Sequence, residues 1–211
     1  MTKIKICGIK TIEASKIAAN EGADYIGLVF VDGVRRKISI NKAIEISNYI
    51  NSLRVAPKIV GLFQNQHLNY VLDIIKNINL DCVQLCGNEN EDFISSLNVK
   101  IFKQIRVKNT DKKIEIESKI NNHLDMNLGV ILDTYKKGSP GGTGESFDWN
   151  LISGIASKEN TFLGGGLNIN NIEKAIKNFT PWGVDVSTGV EYKGEKNINL
   201  ISSFIKKVKF L

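Results

Sequence analysis

The sequence predicts an α/β protein folded as a single (β/α)8 barrel, the TIM-barrel class, and three observations carry that reading. Short apolar runs alternate with amphipathic stretches along all 211 residues, about 26 residues per unit if eight units share the chain. The runs are rich in Ile, Val, Leu and Phe, as parallel strands buried on both faces must be. Eight β units, each followed by a helical unit, favour right-handed crossovers and a closed barrel without free edges. A doubly wound open sheet is the structural alternative. No charge block or Pro/Ser linker interrupts the pattern and there are only three prolines, so residues 1–211 read as one domain.

In order, the strands are predicted at Lys3–Cys7, Tyr25–Phe30, Lys58–Phe63, Cys82–Leu85, Lys100–Ile105, Leu128–Asp133, Thr161–Gly164 and Gly183–Val186. The first helix, Thr11–Asn20, opens on a possible N-cap threonine and carries Ile12, Ile17 and Ala18 at helical spacing. Ile40–Leu53 repeats this with Ile44, Ile46, Ile50 and Leu53. His67–Ile78, Glu91–Leu97, Asp111–Asn121, Trp149–Ile155, Ile169–Asn178 and Ile198–Val208 complete the set. Gly22 and Gly154 fall at or just past helix ends, where a left-handed residue is useful.

Composition is that of an ordinary globular protein, 42% hydrophobic and 24% charged. No run approaches a membrane span and no leader precedes Lys3, so the chain reads as soluble and cytoplasmic. Net charge is +6. The lysines are spread evenly, without the basic, aromatic-interleaved groove of a nucleic-acid binder, and a small anionic substrate suits the charge. Cys7, Cys82 and Cys86 read as reduced thiols. Along a strand the sulfurs of Cys82 and Cys86 lie about 13 Å apart, too far to share a metal ion. His67 and His123 sit in helix-like stretches and read as solvated surface residues.

Barrel active sites form at the carboxyl ends of the strands. Strand one ends in Cys7. Alternation puts Lys3, Lys5 and Cys7 on one face and Ile4 and Ile6 on the other. The apolar pair faces the helices, and an inward lysine needs a partner. Strand eight, its neighbour on closure, supplies Asp185, so a Lys5–Asp185 pair is expected. A small buried hydrophobe is the plainer role for Cys7. Strand six ends in Asp133, which faces inward with Ile131 and Gly129; helix or turn capping is its plainer role. Glycines cluster in Gly138–Gly144 and Gly164–Gly166, and strand eight runs into Ser187-Thr188-Gly189. Loops of this kind after strands seven and eight frequently converge N–H groups on an anion, so a phosphate-binding barrel is expected, with flexible turns as the plainer role of the glycines. After strand two comes Arg35-Arg36-Lys37, a pair that is either solvated or holds a carboxylate in bidentate geometry.

With Lys5-Ile-Cys-Gly8, Gly27-Leu-Val-Phe30, Gly61-Leu-Phe63, Val83-Gln-Leu85, Leu132-Asp-Thr134, Gly141-Gly-Thr-Gly144, Phe147-Asp-Trp149, Gly165-Gly-Leu-Asn168, Val184-Asp-Val-Ser187 and Gly189-Val-Glu191 in this order, the chain resembles the phosphoribosylanthranilate isomerases of tryptophan biosynthesis over essentially its whole length. The resemblance implies an Amadori rearrangement of a phosphorylated sugar-anthranilate, without cofactor or metal. It implies Cys7 as general base and Asp133 as general acid, with Arg36 as the best match and Arg35 as the alternative for the substrate-positioning arginine, and Asp185 also at the substrate. It implies a phosphate site at Gly142, Thr143, Gly144, Gly165, Gly166, Ser187 and Thr188. The thiol needs ionising, and nearby Lys5 is expected to favour that. A small-molecule substrate is implied, with no nucleic-acid or membrane partner, in a monomer or homodimer. The family usually has histidine where this chain has Cys86. Rival readings are a pentose-phosphate epimerase, which needs metal-ligating histidines at strand ends, and a histidine-pathway aminoaldose isomerase, which has aspartate at the Cys7 position. A non-enzymatic phosphate-ligand barrel is the third.

Overall fold

The structure, a computed structural model, describes residues 1–135 and 146–211. Its elements follow one another as β1 (Lys3–Cys7), α1 (Ile12–Asn20), β2 (Tyr25–Val29), α2 (Ile40–Asn51), β3 (Lys58–Phe63), α3 (Leu68–Ile78), β4 (Cys82–Leu85), α4 (Glu91–Ser95) and β5 (Lys100–Val107). Then come α5 (Lys113–Asp125), β6 (Gly129–Thr134), a 3₁₀ turn (Trp149–Ile152), β7 (Thr161–Leu163), α6 (Ile172–Phe179) and β8 (Gly183–Val186). A two-stranded hairpin, β9 (Glu191–Tyr192) with β10 (Glu195–Lys196), precedes α7 (Ile198–Lys209). Among the described residues, β1 to β8 pair in parallel with their sequence neighbours, and β8 closes on β1 with Lys5 opposite Asp185. The barrel is the predicted architecture.

Two cores explain why the strands are apolar on both faces. Outward side chains such as Ile4, Ile6, Ile26, Leu28, Val83 and Val184 join the inner faces of the helices in the larger cluster. Inward side chains form the second, from Tyr25, Phe102 and Phe162 at the amino end up to Cys7, Val29 and Leu62 near the mouth. The three rings meet edge to face with centroids 5.3 to 5.8 Å apart, a favourable aromatic geometry. Space for two of them is made by glycine. A Cβ on Gly129 would stand 2.3 Å from the Phe102 ring, and one on Gly183 would stand 2.5 Å from that of Phe162. The floor is therefore a dry aromatic layer, and polar groups begin one layer above it.

The helices keep their predicted places with trimmed ends. Thr11 caps α1 by accepting from the Ala14 amide. Gly22 and Gly154 both have φ near +80°. The stretch after strand six departs from expectation, since a single 3₁₀ turn stands where a helix over Trp149–Ile155 was predicted. Asp148 caps it, but Ser153 leaves helical geometry and Gly154 is left-handed, so too few residues remain for an α-helix. Lys3 is a second correction. It shares a face with Lys5, yet at the amino-end rim its ammonium turns out of the barrel to Asp24 at 2.8 Å and is half exposed. His123 is a third, being half-buried rather than solvated, and burial lowers its pKa. His67 is exposed as predicted.

Candidate active site

The carboxyl ends of the strands surround one pocket. Cys7, Arg36, Gln84, Cys86, Gln104 and Asp133 line it together with Gly165, Gly166, Asp185, Ser187 and Thr188. Of the eleven predicted site residues, Gly142, Thr143 and Gly144 lie outside the described residues, whereas the other eight line this one pocket.

Cys7 is the last residue of β1 and is buried. Gly8 follows it with φ +79°, and a Cβ there would stand 2.7 Å from Cδ of Arg36. The glycine thus lets the arginine lie across the turn that presents the thiol. Gly27 on β2 does similar work, since its Cβ would come within 3.0 Å of the Cys7 Sγ. Burial pushes the thiol up, and the positive charges of Lys5, Lys196 and Arg36 only partly oppose this. The expectation that Lys5 favours ionisation holds in sign but is outweighed by burial.

Lys5 lies one layer below, fully buried. Its ammonium donates to Asp185 Oδ1 at 2.9 Å and to Gln84 Oε1 at 2.9 Å. Burial alone would lower its pKa, but the aspartate reverses that and keeps the charge on. The Lys5–Asp185 pair is the one alternation and closure predicted. Gln84 Nε2 then donates to Cys86 Sγ at 3.5 Å, and burial pushes that thiol up to about 12.

Asp133 comes from β6 on the same face as Ile131. Its Oδ1 accepts from the Thr134 amide at 2.9 Å and its Oδ2 from Gln104 Nε2 at 2.8 Å. Despite these bonds its carboxyl is pushed up to about 6, mainly by burial and then by the negative charge of Asp185. A carboxylic acid with this midpoint can give up and regain a proton near neutrality.

Arg36 rather than Arg35 faces the pocket. Its Nε donates to Glu191 Oε1 at 2.7 Å, and its Nη2 to Glu191 Oε2 at 3.1 Å and Thr188 Oγ1 at 3.0 Å. Arg35 is exposed and reaches Glu191 from outside. Lys196, opposite Glu191 in the β9–β10 hairpin, donates to Glu191 Oε1 and to the Ser187 carbonyl. Ser187 Oγ in turn donates to the Cys7 carbonyl at 3.1 Å. Across the pocket Gly165 and Gly166 both have φ above +70°. A Cβ on Gly165 would stand 2.5 Å from Thr134 Oγ1, so this loop can fold against β6 only as glycine.

A sequence model of the family described as N-(5'-phosphoribosyl)anthranilate (PRA) isomerase matches residues 4–207. The chain belongs to that family. It is 37% identical over 213 residues to the N-(5'-phosphoribosyl)anthranilate isomerase of Dehalococcoides mccartyi, a match covering 99% of this chain and 96% of the relative. It is similar to the crystal structure of the Thermotoga maritima phosphoribosyl anthranilate isomerase, with TM-score 0.85 and 32% identity over the whole of both chains. A further family structure, at TM-score 0.82 and 31% identity over both whole chains, is a complex with reduced 1-(o-carboxyphenylamino)-1-deoxyribulose 5-phosphate.

Gln84 and Gln104 in the wall, and Glu191 and Lys196 behind it, escaped the sequence reading as site components. Gln84 and Glu191 stand inside motifs of the isomerase family quoted for the resemblance, but no task had been attached to them. Gln104 and Lys196 lie outside those motifs. Strand alternation does signal Gln104, since it places that residue inward between Phe102 and Arg106. Nothing local signals Lys196, which reaches the site only through the hairpin.

Proposed function

We propose that this protein converts N-(5-phospho-β-D-ribosyl)anthranilate to 1-(2-carboxyphenylamino)-1-deoxy-D-ribulose 5-phosphate, the isomerisation its family carries out in tryptophan biosynthesis, with Asp133 as acid and Cys7 as base. The observation that carries the assignment is that a buried carboxyl poised near pH 6 and a thiol line one pocket beside an arginine and two left-handed glycines.

In the first step Asp133 gives its proton to the ribose ring oxygen. The C1′–O4′ bond breaks with its electrons on that oxygen, and the anilino nitrogen lone pair forms the C1′=N⁺ iminium. Cys7 as thiolate then takes the C2′ proton. The released pair forms C1′=C2′ and the C=N electrons return to nitrogen, leaving an enolamine that tautomerises to the C2′ ketone. Burial raises the pKa of the thiol in the free protein, so its proton must pass to solvent before it can act as the base. The iminium cation is the charge that favours thiolate at the moment the base is needed. Each proton transfer contributes roughly 10²–10⁴-fold.

Arg36, braced by Glu191, suits the anthranilate carboxylate. Gly165, Gly166, Ser187 and Thr188, with Gly142, Thr143 and Gly144 from the preceding loop, suit the phosphate. Among the described residues no helix is long and apolar enough to cross a membrane. The free cysteines accord with a reducing cytoplasm. A monomer or homodimer fits, and one solved Thermotoga maritima relative is described as dimeric.

The decisive experiment is a fluorescence assay of phosphoribosylanthranilate consumption by the purified protein and by Cys7→Ala. Turnover by the wild type with a loss of at least about 10²-fold in the variant is expected. A variant of near-normal rate would remove Cys7 from the mechanism.

A further inference from the structure

Gln104 takes no part in the steps above, yet its amide touches the acid. It stands on β5 facing inward, opposite Ile131 and two pairs below the Arg106–Asp133 register. Its Nε2 donates to Asp133 Oδ2 at 2.8 Å. Its Oε1 is buried and has no hydrogen-bond partner among the described residues. A buried carbonyl oxygen left so is costly and calls for an explanation.

The chemistry of Asp133 supplies one. An ionised carboxylate only accepts hydrogen bonds, whereas a protonated one also donates through its O–H. A partner that serves both forms must offer a donor and an acceptor from one place. A glutamine amide does this, because its terminal torsion is broad and nearly two-fold, so a half-turn exchanges Nε2 and Oε1. Neither a lysine nor a carboxylate offers both at neutral pH.

We propose that Gln104 is the positioning residue of the general acid, donating through Nε2 to Oδ2 of the Asp133 carboxylate and accepting through Oε1 from the Oδ2–H of the acid. In each state one amide atom holds Asp133 in line while the other is left without a partner among the described residues. The proton Asp133 gives to the ring oxygen leaves a carboxylate, and the amide turns back to donate to it. Among the described residues, the other titratable and charged groups that act on Asp133 are Asp185 from β8, Arg106 from β5, Arg36 from the loop after β2 and Cys86 after β4. Asp185 opposes ionisation of the acid and Arg106 favours it. The proposal rests on the isomerase reading of Asp133.

The test is carbon-13 NMR titration of aspartate carboxyls in the full chain, with the Asp133 signal assigned by its loss in Asp133→Asn. Gln104→Met keeps the volume and removes both bonds, of which the charge-assisted one to the ionised form is the stronger. Its Asp133 midpoint is expected to rise by about half to one pH unit, with kcat down about ten-fold and KM little changed. Gln104→Glu, when protonated, again offers donor and acceptor. It is expected to recover turnover relative to Gln104→Met as pH falls, and its like charge should also raise the Asp133 midpoint. A purely structural glutamine would lower the melting temperature and leave the Asp133 midpoint in place. An unmoved or lowered midpoint in whichever variant folds overturns the proposal. Absence of turnover by the wild type would instead overturn the isomerase reading, and the titration would still report on Gln104.

Discussion

Asp133→Asn is expected to make the protein more stable while abolishing its turnover. The folded carboxyl titrates at about 6 against an ordinary 3.8. Between those values the folded state holds a proton the unfolded chain has released, so stability falls as pH rises through the window. Above about 6 the whole cost of the buried charge is present. The gap of about two units, at about 1.4 kcal/mol each, corresponds to about 3 kcal/mol. The carboxyl stands at the pocket wall within partial reach of solvent, which trims the figure to about 2 kcal/mol. Asparagine has no charge to desolvate. Its amide oxygen still accepts from the Thr134 amide, and its NH₂ gives Gln104 Oε1 the partner it lacks. Urea unfolding of both proteins at about pH 7.5 and about pH 4 measures the difference. The variant should be more stable by about 2 kcal/mol at the higher pH, an increase in Tm of about 4–8 °C for a chain of this size, with the advantage nearly gone at the lower. Activity should fall at least about 10²-fold. A variant less stable than wild type at pH 7.5, or equally favoured at both pH values, would refute the account of the raised acid.

Three other perturbations probe the neighbouring parts. Asp185→Asn leaves Lys5 fully buried with the Gln84 amide oxygen as its remaining strong acceptor, and should cost about 3–5 kcal/mol in urea unfolding; pairing it with Lys5→Met should recover much of that loss. Arg36→Met removes the charged hydrogen bonds read for the anthranilate carboxylate and should raise KM about 10- to 100-fold, while kcat changes less; a purely structural effect would show equally with a ligand lacking the carboxylate. Gly165→Ala must place a Cβ against Thr134 at φ +76°, so inhibition by inorganic phosphate should weaken by about ten-fold or more with the fold retained by circular dichroism.

The barrel itself was legible because its strands are buried on both faces and therefore nearly all apolar, so the eight runs stand out against amphipathic helices. The Lys5–Asp185 pair was legible for a sharper reason. Alternation fixes the face, closure fixes the neighbour, and a buried cation must have a partner. What alternation cannot give is depth within the barrel. It put Lys3 and Lys5 on the same face but not at different layers, and Lys3, at the rim, reaches Asp24 and water instead. The same blindness hid the aromatic floor, where Gly129 and Gly183 matter because of rings on other strands. The balance of effects on Cys7 was also out of reach, since a neighbouring charge can be read from a motif while desolvation depends on everything packed around the thiol. Glu191 could be seen as a motif residue, but its grip on Arg36 depends on a hairpin too short to leave a periodic signal.

The cysteine at position 86, where the family usually has histidine, narrows how the two proton transfers can be shared. A histidine there would be able to carry a proton near neutrality. Burial pushes the Cys86 thiol up to about 12, so it stays protonated and neutral over the whole range in which Asp133 titrates. It accepts weakly from Gln84 Nε2, while Oε1 of the same glutamine is held by Lys5, so the thiol fills the wall without adding charge to it. The proposed base for the C2′ proton is the thiol at the end of β1, raised by burial but beside Lys5, Lys196 and Arg36, whose charges partly oppose that rise. The proposed acid is Asp133, the pocket carboxyl pushed up to about 6 by burial and by Asp185. Asp185, with Lys5 against it, is held as a counter-ion, so among the described residues the proposed sharing uses Asp133 as donor and Cys7 as acceptor.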